Sequence, residues 1–184
     1  MMNYIRFNFM LLCLVAISSC TNDKNAYINY FSDPNNGLSK SHTSANWVYK
    51  LQYRTPEYMA LIEMEGENLD ATTILDNYNG MDYFLLTIKS NAQHSNKLNT
   101  RVAEKLSFSY KNDIQKIVAQ NSIHPELYHF ENGLSAFGEY RCLFGFIKQN
   151  EVAQKLILRE IDTDKEIEFN FSEEDISAIP NMSL

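Results

Sequence analysis

The segment Glu139–Phe146, EYRCLFGF, alternates between two kinds of side chain. Every second residue is aromatic or apolar, namely Tyr140, Cys142, Phe144 and Phe146. The residues between them include two charged side chains, Glu139 and Arg141. Because successive side chains of a β-strand point to opposite faces, this period of two predicts a strand with one buried face.

Two further strands are predicted on the C-terminal side of this segment. A polar loop at 148–151 leads into an apolar stretch over about 152–161, and Asp162-Thr163-Asp164-Lys165 is typical of a turn. Residues 166–171, EIEFNF, then alternate again. Three strands joined by short polar turns predict an antiparallel three-stranded meander. Ser172-Glu173-Glu174-Asp175 predicts a capping box that starts a last short helix.

The N-terminal half predicts further strands and the first helices. Residues 81–90, MDYFLLTIKS, are apolar on both faces, which indicates a central strand covered by helices. Residues 46–54 alternate and predict a half-buried strand. Thr55-Pro56-Glu57 predicts a helix start, since Thr caps, Pro suits the first turn and Glu meets the positive end of the dipole. A weaker helix is expected at 70–78.

The middle of the chain is harder to interpret. Residues 113–119 fit a helix or a strand. Residues 123–131 predict a strand, with Pro125 near its start, where a missing donor is tolerated. Together the elements predict an α+β fold, a β-rich antiparallel sheet or sandwich with two or three helices, in a single globular domain over residues 45–184.

The first 20 residues, MMNYIRFNFMLLCLVAISSC, have the order of an export signal. Arg6 supplies positive charge, and an apolar run follows from Phe9 to Ile17. This run is shorter than the ~20 apolar residues that a membrane-spanning helix needs. Small residues come next, so the pattern predicts a secretory signal peptide.

The end of this segment, Ile17-Ser18-Ser19-Cys20, resembles the lipobox of bacterial lipoproteins. The resemblance implies a signal peptide over residues 1–19, removed on export, and acyl chains on Cys20 that anchor the protein in a membrane. Thr21, rather than Asp, follows the cysteine, which by the same resemblance favours the outer membrane and leaves the leaflet open. An ordinary signal peptide or an uncleaved anchor are the alternatives. Residues 20–44, rich in Asn, Ser, Asp and Lys, are interpreted as a lipidated tether.

The cysteine count and the charge narrow the function classes. Cys13 would leave with the signal and Cys20 would be acylated, so Cys142 would have no intrachain disulfide partner and is expected to be a buried thiol. The chain has a net charge of −7, and loss of Arg6 with the signal makes the mature chain more negative still. An acidic chain without a basic cluster argues against a nucleic-acid partner.

Three stretches further along the chain carry a second resemblance. They are Asn36–Lys40, Leu51–Pro56 and Leu127–Glu131, and their order resembles that of small uncharacterised lipoproteins of Bacteroidota-type bacteria. The resemblance spans about residues 27–171. It implies a shared domain after a lipid anchor, favours a strand at 113–119 and implies no activity.

The metal candidates lie in the stretch from His124 to Glu131. On a strand, His124 and Glu126 point one way while His129 and Glu131 point the other way, so the four side chains cannot converge without a bend. His129 and Glu131 are therefore weak metal candidates, and a polar outer face or a structural hydrogen-bonded pair is the alternative. No metal and no cofactor is expected.

Candidate catalytic and sugar-binding residues also have structural explanations. The sequence contains no Gly-x-Ser-x-Gly, and the paired acids Glu173 and Glu174 are explained by a helix start. Glu63 and Glu65 fit a solvated helix face. The aromatic residues Trp47, Tyr49 and Tyr53 fit a carbohydrate platform or one buried face of a strand.

The sequence predicts a non-enzymatic, lipid-anchored protein of the cell envelope. It would act as a binding or assembly module, attached to the membrane through its lipid, with another envelope protein or a glycan as its partner. Two alternatives stay open. One is an envelope hydrolase or glycan-processing enzyme whose carboxylates converge only in the fold. The other is an immunity-type lipoprotein.

Overall fold

The computed structural model describes residues 24–65, 70–91, 99–131, 138–150 and 152–182. The predicted signal peptide over residues 1–19 and the predicted lipidation site Cys20 lie outside these residues. Within them, no helix is long and apolar enough to cross a membrane.

The predicted α+β class is confirmed, with two antiparallel sheets that pack face to face. The described part of the chain forms nine strands, β1 (Ser39–Thr43), β2 (Trp47–Arg54), β3 (Met81–Ser90), β4 (Ile114–Val118), β5 (Asn121–Ile123), β6 (Leu127–Glu131), β7 (Glu139–Ile147), β8 (Gln154–Arg159) and β9 (Glu166–Phe171). The first sheet has the order β1-β2-β3-β7-β6, and the second has the order β5-β4-β8-β9. Phe84 of the first sheet and Phe171 of the second have ring centroids 5.7 Å apart, so one core serves both sheets.

The helices lie around this sandwich. They are α1 (residues 24–32), α2 (Pro56–Glu63), α3 (Ala71–Tyr78), α4 (Thr100–Phe108) and α5 (Glu173–Ser177), with short 3-10 turns at Pro34–Asn36 and Tyr110–Asp113. The predicted cap of α2 is confirmed, since the Tyr58 N–H donates to Thr55 Oγ1 over 3.2 Å. The predicted capping box between Ser172 and Asp175 at the start of α5 is also confirmed.

β3 is the central strand that its two apolar faces predicted. Leu86 and Ile88 point into the sandwich and are fully buried. Tyr83 and Leu85 point to the other face of the sheet and are buried as well. On that face Tyr78 of α3 packs edge to face on Tyr83, with ring centroids 5.5 Å apart. The strand therefore has a sheet on one side and a helix on the other.

The prediction of a tether over residues 20–44 is wrong for its described part. Tyr27 and Phe31 of α1 are buried in the core, as is Leu38. β1 then pairs antiparallel with β2 over residues 39–43. The stretch as a whole is polar, which is why it was interpreted as a tether. Tyr27 and Phe31 are four positions apart, however, so they share one face of a helix and that face is buried. The domain therefore begins by residue 24 rather than at residue 45.

The C-terminal meander is confirmed for β8 and β9, which pair antiparallel with Leu158 opposite Ile167. β7, the first strand of the predicted three, instead lies in the other sheet between β3 and β6. The chain passes from the first sheet to the second in the connection after β7. At the start of that connection the Lys148 N–H donates to the Gly80 carbonyl, so the chain is paired beside β3 up to this point. Alternation predicts which face of a strand is buried, but it does not specify the neighbouring strand.

The middle of the chain forms more strands than the sequence predicted. Residues 114–118 are a strand, as the second resemblance favoured. The predicted single strand over 123–131 is correct for residues 127–131, which form β6, but Ile123 is instead the last residue of β5, in the other sheet. Pro125 lies between the two and has no N–H to donate, so the pairing breaks there.

Candidate functional site

A polar groove lies where the β1–β2 turn, the β8–β9 turn and the ends of β3 and α4 meet. Two cavities of about 420 and 320 Å3 form it. They adjoin because Ala45, Asn46 and Asp162 line both of them. We define this polar groove by six of the polar side chains in its lining, His42, Asn46, Asn91, Asn99, Glu160 and Asp162.

The β1–β2 turn is held in place by the end of β3. The Asn91 backbone N–H donates to the Asn46 carbonyl over 2.8 Å, and the Asn91 side-chain amide donates to the Ser44 carbonyl over 2.8 Å. Asn99 caps the start of α4 through its side-chain oxygen, which accepts from the Val102 N–H at 3.3 Å. These bonds fix the amide-bearing wall of the polar groove before any ligand arrives.

Asp162 joins the two turns. Its Oδ2 accepts a hydrogen bond from Asn46 Nδ2 at 2.8 Å and another from the indole Nε1 of Trp47 at 3.0 Å. Trp47 is the first residue of β2 in the first sheet and Asn46 lies in the turn just before it, whereas Asp162 lies in the turn after β8 of the second sheet. The carboxylate thus connects the sheets at their surface and sits at the centre of the polar groove.

Glu160 is the buried carboxylate of the polar groove. Its side chain is 7% exposed, and it accepts a hydrogen bond from the Thr163 hydroxyl. His42 Nε2 lies 3.7 Å from Glu160 Oε1, and the His42 side chain is 42% exposed. That distance is longer than a hydrogen bond, so the imidazole is a neighbour of the carboxylate rather than its direct donor.

Tyr49 contacts the β8–β9 turn from the core of the sandwich. Its hydroxyl accepts a hydrogen bond from the Ile161 backbone N–H at 2.9 Å. Burial, with smaller contributions from the negative charges of Asp162 and Glu160, raises the pKa of Tyr49 to about 12. The phenol is therefore neutral at physiological pH and serves as a fixed support for the turn.

The chemistry of the polar groove is that of hydrogen bonding. Carboxylates accept hydrogen bonds, side-chain amides both donate and accept them, and an imidazole can do either. Trp47 lines the polar groove, but it is only 7% exposed, so its ring offers little area on which a ligand could stack. Among the described residues, no three His, Cys, Asp or Glu side chains are grouped to hold a metal ion.

The predicted metal candidates lie away from the polar groove. His129 and Glu131 are exposed on β6, and Glu131 Oε2 lies 3.3 Å from Arg141 Nη1. The Nδ1 atom of His124 is 3.0 Å from the Ile114 carbonyl oxygen. Glu131 and His124 thus have other partners, and among the described residues the structure does not group these side chains as metal ligands.

The three aromatic residues of β2 belong to the core. Trp47, Tyr49 and Tyr53 are all buried, so they do not form the sugar-binding platform that was one of their two interpretations. Cys142 is also buried, as expected. Burial raises the pKa of its thiol to about 12, which keeps it in the unreactive protonated form.

The residues that line the polar groove were not predicted as a site. The sequence predicted Asp162 only as part of a turn, and Glu160 only at the end of a strand. His42 is more than 110 residues from either of them in the chain. Only the packing of the first sheet against the second brings the three together, and no local pattern signals that packing.

No family model matches the chain, and no curated protein and no solved structure matches it either.

Proposed function

We propose that this protein is a lipid-anchored envelope protein whose domain binds a glycan in the polar groove without processing it. The observation that carries the proposal is the polar groove itself, with carboxylate, amide and imidazole groups along two adjoining cavities. The anchor rests on the resemblance of Ile17–Cys20 to a lipobox.

A glycan suits the polar groove because each sugar ring presents several hydroxyl groups that donate and accept hydrogen bonds. Asp162 and Glu160 offer acceptors, and the amides of Asn46 and Asn91 lie beside them. Each cavity has a volume within the ~300–1,000 Å3 range that is typical of small-molecule sites. A short oligosaccharide would fill both cavities together.

The hydrogen bonds of the two carboxylates favour binding over catalysis. Asp162 already accepts from two donors, and Glu160 accepts from the Thr163 hydroxyl. These bonds hold one oxygen of each carboxylate in place within the turns, whereas the two carboxyl groups of a glycosidase must both face the bond that is cleaved.

A binding screen tests the glycan part of the proposal. Full-length protein in detergent is titrated with peptidoglycan fragments, lipopolysaccharide glycans and capsular polysaccharides. Asp162→Asn retains an oxygen for the Trp47 and Asn46 donors but removes the charge, and we expect affinity to fall about tenfold or more. Glu104→Gln, on the exposed face of α4, is the matched control and should bind like the wild type.

Two outcomes would contradict glycan binding. If the wild type binds none of these glycans, the proposal is wrong. Cleavage of a bound glycan that disappears in Glu160→Gln would favour the glycan-processing enzyme instead.

The anchor is tested by metabolic labelling with palmitate in a bacterium that processes lipoproteins. Cys20→Ala should lose the label, because it removes the thiol that the lipobox resemblance assigns to acylation. Cys13→Ala, within the predicted signal, should keep it. Label retained in Cys20→Ala would show that this thiol is not the lipid attachment site.

A further inference from the structure

Lys116 and Asp82 form an ion pair in the interior of the sandwich. Lys116 Nζ lies 3.0 Å from Asp82 Oδ2, and the two side chains are 1% and 3% exposed. Asp82 is on β3 of the first sheet and Lys116 is on β4 of the second. The pair therefore bridges the two sheets through the core.

Aromatic side chains surround the pair. The Tyr53 hydroxyl donates a hydrogen bond to Asp82 Oδ1 at 3.1 Å. Lys116 Nζ lies 5.9 Å from the centroid of the Phe146 ring. Burial, followed by the Asp82 charge, raises the pKa of Tyr53, so its phenol stays protonated and keeps donating.

The interior of the sandwich gives the two groups little contact with water. Removing an ammonium and a carboxylate from water costs several kcal/mol per ion, which their mutual attraction offsets only in part. Transfer of one proton from Lys116 to Asp82 produces a neutral amine beside a neutral carboxylic acid. Lys116 Nζ is held 3.0 Å from a carboxyl oxygen, and an amine held beside a carboxyl group has an effective concentration on the order of 10⁵ M when the reacting atoms are aligned.

We propose that Lys116 and Asp82 condense to form an intramolecular amide that links the two sheets covalently. Nζ attacks the carboxyl carbon Cγ and forms the new C–N bond. The C–O bond to Oδ2 breaks, and that oxygen leaves as water with two of the protons that the ammonium carried. Ammonium and carboxylate thus become amide and water, with no oxidant and no further reactant.

Tyr53 has a positioning role in this step. Its hydrogen bond to Oδ1 holds the carboxyl group in place and stabilises the negative charge that develops on that oxygen when Nζ attacks. The phenol gives up no proton overall. Tyr53→Phe should keep the ring packing of the core but slow the condensation.

The amide would serve a protein whose described cysteine, Cys142, is free and buried. It would join residues that are 34 positions apart in the sequence, as a disulfide joins distant parts of other exported domains. This inference does not depend on the glycan proposal, because it concerns the core and not the polar groove.

Mass spectrometry of the denatured full-length protein tests the proposal. We expect the wild type to be lighter than its sequence and lipid predict by one water molecule. After trypsin, the peptide Thr55–Lys89 should be joined to Asn112–Arg141, uncut at Lys116, because the acylated lysine is no longer a cleavage site.

Three variants identify the atoms involved. Lys116→Arg has no amine that can condense and should keep its full mass. Asp82→Asn should lose ammonia instead of water and reach the same final mass as the wild type. Tyr53→Phe should accumulate the linked form more slowly in a pulse-chase measurement, whereas a purely structural tyrosine would leave that rate unchanged.

The wild-type mass decides the question even if a variant fails to fold. A wild type that keeps its full mass after long incubation would overturn the proposal. A water loss that persists in Lys116→Arg would overturn it too, since cyclisation at another aspartate would then be its source.

Discussion

Two lysine–carboxylate ion pairs with similar nitrogen–oxygen distances show how burial changes the contribution of a residue to stability. Lys116 and Asp82 are 3.0 Å apart and buried, whereas Lys155 and Glu168 are 2.7 Å apart with side chains 44% and 47% exposed. Water and salt screen most of the attraction between the two charges of the exposed second pair. In the core, removal of one partner leaves the other charge or polar group without solvent, so the first pair controls stability far more strongly.

Replacement of each lysine by alanine tests this difference. Lys116→Ala should lower the free energy of unfolding by about 3–5 kcal/mol or more, because Asp82 stays buried without Lys116 whether the wild-type pair is ionic or linked as an amide. Lys155→Ala, the matched control, should change it by less than about 1 kcal/mol. The measurement is urea denaturation of both variants at one pH and salt concentration. Equal losses in the two variants would contradict the burial argument.

Asp175 gives a prediction about pH. The Lys40 ammonium donates a hydrogen bond to it over 2.9 Å and holds its pKa below the ordinary value of 3.8. Because the folded pKa is lower than the unfolded one, the pair contributes stability above pH 3.8. That contribution is lost as the pH falls from 3.8 through the folded pKa.

Urea midpoints measured from pH 6 to lower pH check the sign. Asp175→Asn should be less stable than the wild type at pH 6, and the difference should shrink as the solution is acidified. Lys40→Met, which removes the partner, should behave in the same way. A difference that grows at low pH would mean that the direction of the pKa shift is wrong.

At the scale of elements, α1 shows where composition misleads. It lies in a stretch that is polar as a whole, but five of its own nine residues are apolar or aromatic, and Phe31 packs against Tyr58 of α2 with ring centroids 4.5 Å apart. The Tyr27 hydroxyl lies 2.8 Å from Thr55 Oγ1, the hydroxyl that caps α2. The helix is therefore joined to the start of α2 by both ring packing and a hydrogen bond.

Phe31→Ala tests whether α1 is part of the folded domain. The loss of a fully buried ring should lower the free energy of unfolding by about 3–5 kcal/mol. Asn29→Ala, on the exposed side of the same helix, should have little effect. A negligible loss for Phe31→Ala in urea denaturation would restore the interpretation of this stretch as a tether.

Single elements could be predicted because their signals are local. The alternation of β2, the two apolar faces of β3 and the Thr55 cap of α2 each depend on neighbouring residues. Strand partners could not be predicted, because β7 has a buried face that either sheet would accept. The polar groove could not be predicted for the same reason, since Glu160 and Asp162 come close to His42 only when the two sheets pack together.

At the scale of the whole molecule, both sheets share one interior. Rings from the two sheets interleave there, and Lys116 of one sheet contacts Asp82 of the other. Neither sheet has a core of its own, so neither should persist when the other unfolds.

One cooperative transition is therefore expected. Fluorescence of Trp47, the single tryptophan, reports on the polar groove, while far-ultraviolet circular dichroism reports on all helices and strands. The two signals should give the same urea midpoint and the same slope. Two separated transitions would show that the sheets, or the turns around the polar groove, unfold as independent units.

The early start of α1 also restricts where the domain can go. If Cys20 carries lipid, only Thr21, Asn22 and Asp23 separate it from the first described helical residue, and a fully extended chain of that length reaches about 14 Å. A linker this short would hold the domain against the lipid headgroups and prevent it from extending far into the envelope. The protein would then bind its partners at the membrane surface. A flexible insertion after Asp23 would increase the distance from the membrane at which the domain can bind a partner.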